Sequence, residues 1–314
     1  MRHFAWSWQA LGVVVLAAVT AVLVVAALSG TGGTAVPGPS PSALSHPPTV
    51  SETPTDDPAD ARPADVEPPL VLVDENTAFR GTTGTCLGGS TLELTTDGAA
   101  SWRPVKSPSN AILQLGAATS AVVNVVGAGE TCQAATWVSN TAGRVWDGPG
   151  ATAGQWFRQP DSNRKLQTTI GVVSSPCPDQ SEAIVEIDPI SASDAALLCS
   201  GGEVFRTSNS GTDWTAASVV ENAVALAWES PELGWVLEEN TENCPAFRLS
   251  KSIDGGATWQ TGGCVGEAAA ASPRATRPSL SFADPLIGMA SLDGSVATTT
   301  DGGLNWTLVR ATPQ

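Results

Sequence analysis

Three glutamates in one short stretch, one arginine on a strand and six cysteines are the side chains of this sequence that could do chemistry. Glu238, Glu239 and Glu242, in the segment EENTEN, could bind calcium, and acidic residues are plentiful enough elsewhere for a pair of opposed carboxylates. The three glutamates lack the spacing of an EF-hand loop, and such clusters more often form a solvated rim. Arg80 could take an anion, although a strand arginine is more often solvated. The cysteines are Cys86, Cys132, Cys177, Cys199, Cys244 and Cys264, with no C-x-x-C among them. The two histidines, His3 and His46, lie far upstream of them, so neither a metal site nor a Ser–His or Cys–His pair is expected. No cofactor is expected either. The sequence contains no tyrosine.

What positions these residues is an octet that recurs five times and always ends on tryptophan. The copies are TTDGAASW (95–102), SNTAGRVW (139–146), TSNSGTDW (207–214), SIDGGATW (252–259) and TTDGGLNW (299–306). Their starts lie 44, 68, 45 and 47 residues apart, a period that suits a propeller blade of four short strands. Each octet reads as a tight turn between two strands. The carboxylate of Asp97, Asp254 or Asp301 accepts backbone N–H groups just ahead, and Thr141 and Asn209 stand in its place in the other copies. Glycines supply positive φ, and Trp102, Trp146, Trp214, Trp259 and Trp306 bury their rings against a neighbouring sheet. Ala99 replaces the second glycine of the first copy, so that turn is expected to differ or to carry strain.

S-x-D-G-G-x-T-W resembles the Asp-box, or BNR repeat, of sialidases, sortilin-type receptors and photosystem assembly factors of the Ycf48 type. The resemblance covers roughly residues 69 to 310 and implies a β-propeller in which the box is a structural turn away from the ligand. It also implies what to test. Sialidases use a tyrosine nucleophile, which this chain lacks. Phe79-Arg80 resembles the start of their arginine-bearing FRIP motif, but Gly81-Thr82 follow. The assembly factors bind other proteins, and only that class of role carries over.

Residues 10–28 are an apolar run of 19, just long enough to cross a bilayer core of about 30 Å as a helix. The expected organisation is a cytoplasmic tail (1–9), a signal-anchor helix (10–28), a Pro/Ser/Thr-rich stalk (29–68) and one all-β domain (69–314). A cleaved secretory signal, giving a secreted protein, is the alternative. Either way the domain is expected outside the cytoplasm. From residue 70 on there are 25 acidic and 13 basic residues, −12 of the chain's −16, which excludes the basic footprint of nucleic-acid binding.

Each repeat opens with an apolar strand (PPLVLVD, NAILQLG, EAIVEID, AVALAWE, PSLSFAD), and a second, small-residue strand follows. Residues 147–183 carry no octet and look too short for a blade on this spacing. The reading is therefore an all-β propeller of five four-stranded blades with an insertion, six blades being the alternative. Six cysteines outside the cytoplasm imply disulfides. Cys244 and Cys264 are equidistant from Asp254, so a hairpin turning there sets them opposite one another. Cys86 and Cys132 share a loop position in adjacent repeats, and Cys177 lies just ahead of Cys199. The cysteine-bearing loops thus fall at the strand ends away from the octets, where long braced loops favour binding. The function expected is a membrane-anchored, non-catalytic module for a protein or an envelope glycan, with Arg80, Glu238, Glu239 and Glu242 on the binding face. The alternative is a glycoside hydrolase of sialidase-like fold that uses carboxylates.

Overall fold

The computed structural model describes residues 68–178, 183–239, 241–266, 277–292 and 295–309. The expected anchor and stalk lie outside the described residues. Among those described, no helix is long and apolar enough to cross a membrane.

Six antiparallel sheets form a β-propeller. Blade 1 comprises β1 (Leu70–Leu72), β2 (Ala78–Thr82), β3 (Thr91–Thr95) and β4 (Arg103–Val105). Blade 2 comprises β5 (Ala111–Ala117), β6 (Val123–Ala128), β7 (Ala134–Ser139) and β8 (Asp147–Gly150). Blade 3 has only β9 (Phe157–Arg158), β10 (Lys165–Thr168) and β11 (Gly171–Ser174). Blade 4 is β12 (Ile184–Pro189), β13 (Ala195–Cys199), β14 (Glu203–Thr207) and β15 (Thr215–Val219). Blade 5 is β16 (Ala223–Trp228), β17 (Gly234–Glu239), β18 (Phe247–Ser252) and β19 (Gln260–Val265). Blade 6 is β20 (Ser279–Phe282), β21 (Gly288–Leu292), β22 (Ser295–Thr299) and β23 (Thr307–Val309). The first strand of each blade lies innermost, beside the first strands of its neighbours.

Six blades, not five, is the first correction. The segment expected to be an insertion is blade 3, hidden in the sequence because its strands are only two to four residues long and the two-residue turn Thr169-Ile170 replaces an octet. That turn lies on the octet face, where Thr169 Oγ1 donates to Ala192 O at 2.7 Å. β9, antiparallel to β10, therefore runs opposite to the inner strands β5 and β12 that flank it.

The five octets fold alike. The hydroxyl of the first residue, buried in every copy, accepts the N–H of the fifth: Ala99 N to Thr95 Oγ1 at 3.0 Å, Gly256 N to Ser252 Oγ at 2.7 Å. The third residue accepts the N–H of the seventh at 2.9 Å in all five, whether through Asp97, Thr141, Asn209, Asp254 or Asp301. The fourth and fifth residues are both left-handed, and Ala99 adopts φ 69° where Gly256 has φ 83°. The first copy does not differ, then; it carries the strain of a left-handed alanine. Each turn also bonds to the loop between the first two strands of its own blade, as Gly98 N does to Asn76 O and Gly255 N to Glu232 O.

Every octet tryptophan reaches the preceding blade. Trp146 Nε1 donates to Lys106 O at 2.9 Å, and Trp214 meets Trp156 of blade 3 edge-on. Trp102 packs with Met289 and Val296 of blade 6, and Leu72 N donates to Ser281 Oγ, closing the ring between the last blade and the first. Trp102 is buried, but the other four rings are half-buried rather than enclosed.

Three disulfides brace the opposite face and fit an oxidising compartment. Cys86–Cys132 joins blade 1 to blade 2, Cys177–Cys199 joins blade 3 to blade 4, and Cys244–Cys264 lies within blade 5. The register behind the last pair differs from a simple hairpin. Cys264 stands opposite Arg248, because an irregularity between Arg248 and Ser250 shifts β19, and Cys244 reaches it from the loop.

Candidate functional site

One register position distinguishes blade 1 from the other four-stranded blades. Two residues in from the octet, strands two and three pair Val125 with Trp137, Leu197 with Phe205, Val236 with Ser250 and Ala290 with Ala297. Val125, Leu197, Val236 and Ala290 are all 0 % exposed and fill the contact with the preceding blade. Blade 1 places Arg80 opposite Glu93 there.

Arg80 Nε donates to Glu93 Oε2 at 2.9 Å, and the guanidinium carbon lies 4.0 Å from the centre of the Trp102 ring. Ion pair and cation–π contact together fix the guanidinium, whose side chain keeps 28 % exposure. Around it the seam between blades 6 and 1 opens into a cavity of about 270 Å³, which Arg277 also lines. A second cavity, about 290 Å³, opens in the same seam at the octet end, beside Asn76, Gly98 and Met289. A charged arginine where the other four-stranded blades carry Val125, Leu197, Val236 and Ala290 leaves this seam incompletely packed.

The glutamates expected to share a face with Arg80 belong to blade 5. Glu238 is 4 % exposed and tied to Arg248 and to Ser250 Oγ, so it is an internal strut rather than part of a solvated rim. Its place inside β17, opposite Arg248, explains why: an ion pair with a hydroxyl donor satisfies a carboxylate withdrawn from water. Glu239 is half-buried at the strand end, with its N–H on Asn222 O, and Glu242 is exposed on the following loop. The structure does not bring them to Arg80.

Three functional-looking residues escaped sequence reasoning. On the inner strand β12, Glu186 Oε2 accepts Leu226 N at 2.8 Å and Asp188 Oδ2 accepts Trp228 N, so two carboxylates clamp blade 5 to blade 4. Burial, helped by the charge of Glu186, pushes Asp188 up to about 8, against the Trp228 N–H that pulls it down. Arg158 stands near Glu186 around a cavity of about 80 Å³ among the inner strands, too small for more than water. The alternation in VEID could have flagged this pair, and the break from Val125, Leu197, Val236 and Ala290 to Arg80 could have flagged the seam. Among the described residues no group of acidic, cysteine or histidine side chains could hold a metal ion.

No protein-family model matches the chain, and neither does any curated protein. Solved structures similar to it include a mutant Aleuria aurantia lectin in complex with Fucα1-6GlcNAc, at 12 % identity over 79 % of this chain and 96 % of the lectin, TM-score 0.48. YCF48 from Cyanidioschyzon merolae is 11 % identical over 78 % of this chain and 85 % of its own, TM-score 0.30. A GH74 xyloglucanase from Xanthomonas campestris is 13 % identical over 78 % of this chain, TM-score 0.33, and the chain spans only 38 % of that enzyme. At such identities the likeness concerns the fold alone.

Proposed function

We propose that this chain is a non-catalytic binding propeller of the cell envelope, of Asp-box type, held to the membrane by residues 10–28 through the stalk that follows. The observation that carries the reading is the seam of blades 6 and 1, where a fixed guanidinium lines an open cavity at a position that is apolar core in the other four-stranded blades. Rigid, disulfide-braced blades suit recognition, because little has to be ordered on binding. A protein or an envelope glycan is the ligand class.

Carboxylate catalysis is the weaker alternative. Asp188 has the raised pKa of a general acid, but it and Glu186 already accept backbone N–H groups of β16. Both act as structural clamps in this reading. The test is capture of a partner from envelope extract by the purified chain, alongside turnover assays on glycosides. A captured glycan or protein without turnover is expected. Hydrolysis of any glycoside, lost in Asp188→Asn, would replace the binding reading with the enzymatic one.

A further inference from the structure

We infer that the seam cavity between blades 6 and 1 binds a carboxylate-bearing sugar, with Arg80 and Arg277 receiving the carboxylate. The inference rests on the binding-propeller reading and names the ligand class and the residues.

Cost makes the first argument. In the other four-stranded blades the strand-two residue at this register is 0 % exposed, and an apolar residue would close the seam of blades 6 and 1 equally well. Arg80 and Glu93 instead withdraw two charges partly from water, which gives little net stability. Structure alone does not call for the pair.

Chemistry makes the second. Arg80 spends Nε on Glu93 and its π-facing side on Trp102, and among the described residues its terminal Nη donors have no recorded partner. Those two donors form the fork that binds a carboxylate bidentately. Arg277 lines the same cavity and makes no ion pair among the described residues. Among the described lining residues two guanidiniums stand against one carboxylate, in a domain that is otherwise strongly acidic. An anion is therefore drawn to this place and repelled from most of the remaining surface.

The wall selects among anions. Ser291 and Ser295 offer hydroxyls from blade 6, Glu93 offers an acceptor, and Leu292 and Val296 supply an apolar side. Mixed hydroxyl partners around an apolar patch suit a pyranose ring, whose edges carry hydroxyls and whose faces are C–H. At about 270 Å³ the open cavity lies just under the roughly 300–1,000 Å³ of drug-sized sites, a size that suits one sugar unit. The site lies between two blades, away from the propeller axis, and needs no nucleophile.

Titration of the purified full-length chain with glucuronate and galacturonate, against glucose and galactose, tests the inference by calorimetry or saturation-transfer NMR. Saturable uronate binding that weakens with salt is expected, with none for the neutral sugars. Arg277→Ala should weaken it about tenfold or more at unchanged melting temperature. Arg80→Lys keeps the charge but loses the fork, and should weaken it similarly while preserving the fold. Equal binding of glucose, or uronate binding indifferent to both variants, overturns the inference. So does binding of a peptide through its C-terminal carboxylate with none of either uronate. If neither uronate binds while envelope extract still yields a partner, the sugar-acid assignment fails and the binding-propeller reading stands.

Discussion

Trp259 stands edge-on to Trp228 with ring centroids 5.9 Å apart and donates its indole N–H to Ser218 Oγ at 2.8 Å. Ser218 lies on β15, so one side chain at the end of an octet ties blade 5 to the outer strand of blade 4. Replacing Trp259 with alanine removes the ring contact, the hydrogen bond and part of the seam. Because the ring is half-buried, the cost should be about 2–4 kcal/mol rather than that of a fully enclosed tryptophan. Chemical denaturation measures it, and an unchanged midpoint would remove Trp259 from the inter-blade contact.

Acid should loosen the octets first. Hydrogen bonds from Thr258 and Ser252 hold Asp254 at about 2, and those from Asn305 and Thr299 hold Asp301 at about 2, below the ordinary 3.8. A depressed folded pKa gives stability that is complete above the ordinary value and is lost as pH falls from about 4 towards 2. Melting temperature followed over that window should fall in the wild type and fall less in the double variant Asp254→Asn, Asp301→Asn. Parallel curves would refute the assignment.

Asp188 runs the other way. Its folded pKa of about 8 exceeds the ordinary 3.8, so the proton it holds stabilises the fold fully below about pH 4. That contribution is lost as pH rises through about 8. Asp188→Asn keeps an oxygen for the Trp228 N–H and carries no charge. Its stability should be flatter than wild type between pH 4 and 8, with the gap widest at the alkaline end. A variant less stable at pH 9 would show that the ionised carboxylate is favourable where it sits.

The left-handed fifth position of the octet makes a graded prediction. Gly256→Ala meets Trp228 and Ala217 at 3.0 and 3.1 Å, a tight but adjustable fit, and should cost about 1–2 kcal/mol of backbone strain. Gly303→Ala places its Cβ 2.0 Å from Cδ2 of Leu249, which is fully buried, so the core around it has to repack. Overpacking then adds to the strain, for about 2–5 kcal/mol. Equal melting temperatures for the two variants would show that conformation alone sets the cost.

Local chemistry was legible in the sequence wherever it repeats. Five octets marked five turns and five strand pairs, and their spacing carried the β-propeller, because a turn's hydrogen bonds lie within eight residues of one another. Apolar first strands such as AVALAWE read correctly for the same reason. Blade 3 was not legible: its two-residue strand β9 and its turn at Thr169-Ile170 become a blade only when β5 and β12 flank them. Glu238 looked like part of an acidic loop until β17 placed it against Arg248. Arg80 and Arg277 stand about two hundred positions apart in the chain and share a cavity because the last blade closes on the first. Turn and strand identity are set by neighbours in sequence. Which seam is left polar, and so what it can hold, is set by ring closure, a contact that no local pattern encodes.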